Sequence, residues 1–235
     1  MDNFQIRGDK RFTKWRGGDV SRLEAFSDAV FAVAITLLVV SNEIPRNYSE
    51  FRSVMWGFIG FGFTFFGLAC IWYNNFKFHR RFGLEDGYTI FLNSILIFMV
   101  LFYIYPLKFM AQIVINFLLL RNAFGIEFDI GFEGSVNMHD LFIIYGMGAF
   151  IIWLILGLMY LHAYKKRKIL KLDRDELEVT THTILANFIV CFVALFSVLL
   201  AYFKIDAWPG MVYFLISPLI FLGFFIKEKY YKIET

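Results

Sequence analysis

Arg22-Leu-Glu-Ala-Phe-Ser-Asp28 sets a cation and a carboxylate on the first two turns of a stretch that then runs apolar from Ala29 to Val40, broken only by the hydroxyl of Thr36. Ionisable groups inside an apolar span cost roughly 2.5–3.5 kcal/mol each on insertion scales unless paired or wetted, so their presence points to function. Two readings stand side by side. Asp28 is a titratable group at membrane depth, suited to carrying a proton; alternatively, Arg22 and Asp28 sit at the headgroup boundary and anchor the helix. Ser27-Asp28 with a histidine would suggest hydrolysis, but no base falls at a suitable depth and no nucleophile elbow is present. His79, His139, His162 and His182 lie at or outside the ends of apolar stretches without HExxH-like spacing, so no metal site is expected.

The elements that must position these residues are helices in lipid. The 235 residues are 59% hydrophobic and 20% aromatic with only 18% charged, unlike a soluble domain of this length. Mean hydropathy is +0.60. Several stretches reach the ~20 residues that cross a bilayer core as helix. Backbone groups in lipid must pair within the element, and the alternation of barrel strands is missing, so an all-α polytopic membrane protein is expected.

Six transmembrane helices can be drawn, about Arg22 to Ser41, Ser53 to Tyr73, Tyr88 to Met110, Leu141 to Tyr164, Thr181 to Phe203 and Trp208 to Ile226. This divides the chain into an N-terminal segment (1–21), a six-helix domain (22–226) and a tail (227–235). Pro209 suits the opening turn of the sixth span, and Pro218 predicts a kink midway along it. Lys and Arg alternate in abundance: 18 fall in the N-terminal segment taken together with Arg22, loop 74–87, loop 165–180 and the tail, against 5 on the other side. That excess puts both termini in the cytoplasm. The N-terminal segment has no apolar core or small-residue cleavage site, so it does not read as a signal peptide.

Segment 107–140 is apolar to Leu120 and then acidic through Gly125-Ile-Glu-Phe-Asp-Ile-Gly-Phe-Glu-Gly134. It reads as an extension of the third helix or an interfacial segment, and it lacks a Gly-rich carbonyl filter. Loop 165–180 is basic in its first half and acidic in its second, an anchor plus a cap for the fifth helix, with a lipid-headgroup site as the sharper alternative. Cys70 and Cys191 read as packing residues. Asn93, Asn116 and Asn187 suit hydrogen bonds between helices, and Trp56, Trp72, Trp153 and Trp208 suit interface belts and packing. The net charge of +3 gives no indication of nucleic acid as a partner.

At 100° per residue Ala29, Val33, Thr36, Leu37 and Val40 form one stripe on the first span, flanked by Asp28 and by the small residues Ala25 and Ala32. The stripe is either packing surface or the methyl-lined wall of an axial pore contributed by several subunits.

Arg22-xxx-Phe26-Ser27-Asp28 followed by Ala-Val-Phe-Ala-Val-Ala-Ile-Thr-Leu-Leu-Val resembles the signature of the transmembrane protein 175 family of potassium channels. Leu92-Asn93-Ser-Ile-Leu through Pro106 is similar to that family's third helix. The resemblance implies a homotetramer in a bacterial inner membrane, with K⁺ as the permeant ion, membrane lipids as surroundings and no cofactor. It implies a hydrophobic constriction at Val33, Leu37 and Val40 with a polar ring at Thr36. Arg22, Phe26, Ser27 and Asp28 become a structural and gating core that ties the first helix to its neighbours and does not line the pore, with the charged groups buried among helices and hydrogen-bonded. The sequence departs from the family in having Val33 where a larger Ile or Leu is common, in placing its nearest histidine after Trp72 at His79, and in the length of 107–140. A potassium-selective leak-type channel is therefore expected. The alternative is a proton-coupled secondary transporter using Asp28, a class that usually shows inverted repeats not found here. An intramembrane enzyme lacks a cluster of catalytic groups.

Overall fold

The computed structural model describes residues 16–40, 45–115, 138–205 and 208–231. Cations Arg7 to Lys14, Asn116 with most of the 107–140 connection, and the end of the tail lie outside them. Among the described residues every element is helical: α1 (Arg22–Val40), α2 (Tyr48–Phe82), α3 (Gly87–Ile115), α4 (Met138–Lys165), α5 (Arg167–Leu170), α6 (Arg174–Tyr202), α7 (Trp208–Met211), a 3₁₀ turn (Val212–Leu215) and α8 (Ile216–Tyr231).

Local chemistry fixes where these helices begin. Ser21 Oγ accepts from Glu24 N at 3.1 Å, capping α1. Asp86 Oδ1 accepts from Thr89 N at 2.9 Å at the head of α3. Asp173 and Glu176 form a full capping box on α6. That cap starts α6 seven residues ahead of the expected fifth span, so the acidic half of loop 165–180 is helix, while the basic half holds the short α5 and a left-handed Lys171 with φ 49°.

Two further boundaries differ from the sequence reading. Helix α2 is 35 residues long, about 52 Å at 1.5 Å per residue, and carries most of the expected loop 74–87 as its last turns. The charge and polarity of His79, Arg80 and Arg81 suggest a loop, but a polar last turn continues a helix as readily as it ends a span. The break in the final span falls at Val212–Leu215 and not at Pro218, which stands in the first turn of α8. Proline's ring clashes with the carbonyl four residues back, and that residue, Phe214, lies in the tighter 3₁₀ turn. Helix α3 runs past Pro106 to Ile115, so the third helix does extend beyond Met110.

Helix α4 packs most extensively against α6 and then against α3; α1 lies on α3 and α2. The shared core contains Ala34 and Leu38 of α1, Phe78 and Phe82 of α2, Leu96 and Val100 of α3, and Ile152, Leu156 and Tyr160 of α4. Small residues allow the close approaches typical of helices in lipid. A Cβ at Gly148 would lie 2.3 Å from the Tyr103 ring, and one at Gly146 would lie 2.6 Å from Val198 Cγ2. Phe63, Phe66, Phe98, Phe102, Phe192, Phe214 and Phe221 are exposed on the outside, far more apolar surface than a water-soluble monomer presents. Four segments, Gly87–Phe109, His139–Lys165, Arg174–Tyr202 and Trp208–Phe225, are long and apolar enough to cross a membrane.

Asp86 ties the start of α3 to the end of α4. Its Oδ2 lies 2.7 Å from His162 Nε2 and also accepts from Lys166 Nζ. Burial works against the charge, but the hydrogen bonds from Lys166, Thr89 and His162 outweigh it and hold the carboxyl well below its ordinary value of 3.8. A depressed carboxylate adds stability that is complete above its unfolded pKa and is lost as pH falls below it. Asp86→Ala, which removes a cap of about 1 kcal/mol as well as the ion pairs, is expected to lower the melting temperature by a few degrees at neutral pH. The difference from wild type should shrink below about pH 4; a thermal melt of both proteins across pH 3–7 with a constant gap would rule out the carboxylate's contribution.

Candidate functional site

Helix α1 has two faces of opposite character. Glu24, Ser27, Phe31, Ala34 and Leu38 are buried against the protein, following the i, i+3, i+7 spacing of one helical stripe. Arg22, Ala25, Phe26, Ala29, Ala32, Val33, Thr36 and Leu37 are exposed.

The buried face carries a seam of polar contacts. Trp72 Nε1 of α2 donates to Asp28 Oδ1 at 2.7 Å. Asn93 Nδ2 of α3 donates to Ser27 Oγ at 2.7 Å, and the Ser27 hydroxyl donates in turn to Leu23 O at 2.8 Å. His79 Nε2 of α2 stands 3.5 Å from Asn93 Oδ1, completing a buried line from α2 through α3 to α1. One turn toward the helix start, Arg80 Nε lies 3.0 Å from Glu24 Oε1. That contact is an ion pair with the N–H directed off the oxygen, since Nε has no aligned acceptor. Hydrogen bonds to a charged group contribute about 1.5–3 kcal/mol, and stripping one partner leaves the other's desolvation cost uncompensated.

The exposed face carries Val33, Thr36 and Leu37 of the stripe that the helical wheel marks as packing surface or pore wall. Val33 is 54% and Leu37 41% exposed, and Thr36 lies beside them with its hydroxyl donating back to Ala32 O at 2.9 Å. With the proton committed to the backbone, the lone pairs of Oγ1 are the only polar feature the residue offers outward. Val40 closes the helix, and its side chain lies outside the described ones.

The seven-residue motif therefore divides. Ser27 and Asp28 are hydrogen-bonded to neighbouring helices as expected, but Arg22 is exposed and Phe26 is 57% exposed in the single chain. Residues 22, 26, 29 and 33 follow one another up the open face, whereas 24, 27 and 31 follow the closed one, so a motif contiguous in sequence straddles both. Arg22 and Asp28 do not pair. Three members of the seam were not singled out from sequence: Glu24, Arg80 and Trp72 as a donor. Glu24 sits three residues before Ser27 on the same face, and a tryptophan near a membrane carboxylate has an N–H that needs an acceptor when buried; both signals were legible. Asn93 bridges helices as expected, while Asn187 is buried on α6 with Nδ2 lacking a protein acceptor. Cys191 is buried and reaches Phe150 O at 3.7 Å, consistent with packing.

Residues 22–103 match the family model for the endosomal/lysosomal potassium channel TMEM175. That stretch begins at the head of α1 and takes in Trp72, His79 and Asn93, the whole polar seam. The chain is 39% identical over 227 residues to a potassium channel of Marivirga tractuosa, covering 92% of this chain and 90% of that one. It is 31% identical over 109 residues to a potassium channel of Chamaesiphon minutus, 42% of this chain and 52% of that protein. Among solved structures it superposes on a variant of the potassium channel MtTMEM175 bound to a nanobody–MBP fusion, with a TM-score of 0.83 at 36% identity over 94% of this chain and 99% of that one. A lysosomal potassium-selective channel TMEM175 homologue from Chamaesiphon minutus shares the fold, with a TM-score of 0.56 at 20% identity over 86% and 96% of the two chains.

Asp28→Asn keeps an acceptor for the Trp72 N–H, whereas Asp28→Ala and Trp72→Phe each leave one partner of the pair unsatisfied. Both of the latter are expected to cost about 1–3 kcal/mol of stability and to reduce the assembled fraction in detergent. Asp28→Asn should stay close to wild type. Equal behaviour of all three variants in size-exclusion chromatography and thermal melts would return Asp28 to the role of a boundary anchor.

Proposed function

The chain belongs to the TMEM175 family of potassium channels, and from that premise we propose that it is a potassium-selective, leak-type cation channel whose pore is lined by α1 of four subunits. The family is one of channels and not of enzymes. The proposal includes six crossings, made by α1, α2, α3, α4, α6 and the α7–α8 span, with both termini on the cytoplasmic side of a bacterial inner membrane.

The observation that carries the reading is the open face of α1. Helix α1 uses one side for its own subunit and leaves Val33, Thr36 and Leu37 uncovered. Four copies around a closed rotational axis would bring that stripe to the centre. The methyl groups of Val33 and Leu37, with Val40 above them, then form a constriction that gates by narrowing and dewetting. Thr36 offers an oxygen ring to a partly dehydrated cation, with no carbonyl-lined filter involved. Arg22 and Phe26, exposed on the same side lower down, come to lie between subunits or at the pore foot. Asp28, held by Trp72 at 2.7 Å, supports a bracing role over that of a titrating carrier in the transporter alternative.

Two measurements test this. Purified protein in liposomes is expected to pass K⁺ down its gradient without a coupled ion and to give unitary currents in bilayers; flux that needs a proton gradient and never yields unitary currents sinks the channel reading in favour of a transporter. Val33→Asn should wet the constriction and raise basal K⁺ current several-fold, while an unchanged conductance in a protein that still assembles as a tetramer would put the pore elsewhere.

A further inference from the structure

Among the described residues, the seam and the stripe leave the fully buried carboxylate of Glu176 unused. Glu176, in the first turn of α6, has no exposed surface. Its Oε1 and Oε2 accept from Arg16 Nη1 at 3.1 Å and Nη2 at 2.6 Å, and Oε2 also accepts from Asp173 N at 3.2 Å. Arg16 further donates Nε to Leu170 O at 2.7 Å and Nη2 to Lys171 O at 3.1 Å. A residue six positions ahead of α1 is thus fastened by a two-pronged ion pair and two backbone acceptors to the corner between α5 and α6.

The next two residues cross to α2 and on to α1. Gly17 N donates to Arg80 O at 3.1 Å, and Arg80 Nη1 donates to Gly18 O at 3.1 Å. Arg80 is the residue whose Nε contacts Glu24 on the first turn of α1. The backbone fit leaves no room for a side chain: a Cβ at Gly17 would lie 2.6 Å from His79 O. Gly83, at φ +57°, lies against the same segment, where a Cβ would come within 2.8 Å of Arg16 O. Helices pack in the succession α1, α3, α4, α6, so a link from α6 to the foot of α1 draws that foot toward its own subunit, away from the open face.

We propose that residues 16–18 are a strap by which the Arg16–Glu176 pair holds the foot of α1 outward and so sets the open fraction of the channel. The inference rests on the pore reading above for its functional half. Arg16 and Glu176 are positioning residues that touch no permeating ion.

The test uses the full-length protein in lipid nanodiscs and planar bilayers. Removing Arg16 alone would strand a buried carboxylate. The double variant Arg16→Gln with Glu176→Gln avoids this and keeps the α6 capping box, which Gln also satisfies. Amide exchange in residues 16–20 should accelerate in the double variant while the rest of α6 keeps its protection. The open fraction should fall on the order of fivefold, the low end of coupling between linked sites. Unitary conductance and the K⁺ over Na⁺ ratio should not move, because Val33, Thr36 and Leu37 are untouched. Gly17→Ala should produce the same pair of changes with both charges intact, and Arg16→Lys, which keeps a charge for Glu176 without the fork, should fall between wild type and the double variant. Unchanged exchange, or an open fraction that is unchanged or raised, overturns the proposal. A wild-type protein without unitary currents removes the pore reading and the open-fraction half with it, while the exchange result still decides whether the strap exists.

Discussion

Polar side chains on the buried face of a packed helix have to find their partners on neighbouring helices, and in α1 they do so one by one. Glu24 meets Arg80, Ser27 meets Asn93, and Asp28 meets Trp72. Each contact is specific in a way that methyl packing is not: sliding α1 by one residue would move every partner by 100° around its axis and leave carboxylates, an amide and an indole N–H unsatisfied. Phe31, Ala34 and Leu38 above the seam add burial, but apolar contact alone tolerates rotation. The polar seam fixes the azimuth of the helix, and the azimuth decides which residues face outward.

That ordering explains why a motif of ionisable residues and a neighbouring run of methyl groups belong to one device. In the pore proposed above, the charged turns need not contact an ion to influence conduction. They orient the stripe, and the stripe presents Val33, Thr36 and Leu37 together. At the opposite end of the bundle the same economy of means recurs without ions: Tyr103 Oη donates to Tyr145 O at 2.7 Å, joining α3 to α4 where Gly148 makes room for the Tyr103 ring.

Much of this was legible from residue types and spacing. Apolar length and the alternation of cationic loops indicate a helical membrane protein, and the 100° wheel puts Ala29, Val33, Thr36 and Leu37 on one stripe, which is the exposed one. What sequence reasoning misplaced shares a physical cause. Hydropathy marks where lipid ends, not where hydrogen-bonded turns end, so the polar tail of α2 and the acidic start of α6 were assigned to loops. Proline marks a missing donor and a steric clash directed backward, so the break appears a turn before Pro218. The motif is contiguous in the chain but not on the helix surface, because Phe26 and Ser27 are neighbours 100° apart on it. Trp72 was read by its ring and not by its N–H, and only the fold shows which carboxylate it serves.

The hydroxyl of Thr36, with its hydrogen turned back to Ala32 O, makes the open face of α1 a surface of one electrical sense. From Ala29 to Leu37 that face contains no titratable group and no outward hydrogen-bond donor, only oxygen lone pairs set among hydrocarbon. In the pore proposed above, a wall of this kind would discriminate against anions by orientation of a neutral dipole and would need no fixed negative charge to do so. Its sign preference is then insensitive to acidification and to screening by salt, two influences that would erode a ring of carboxylates.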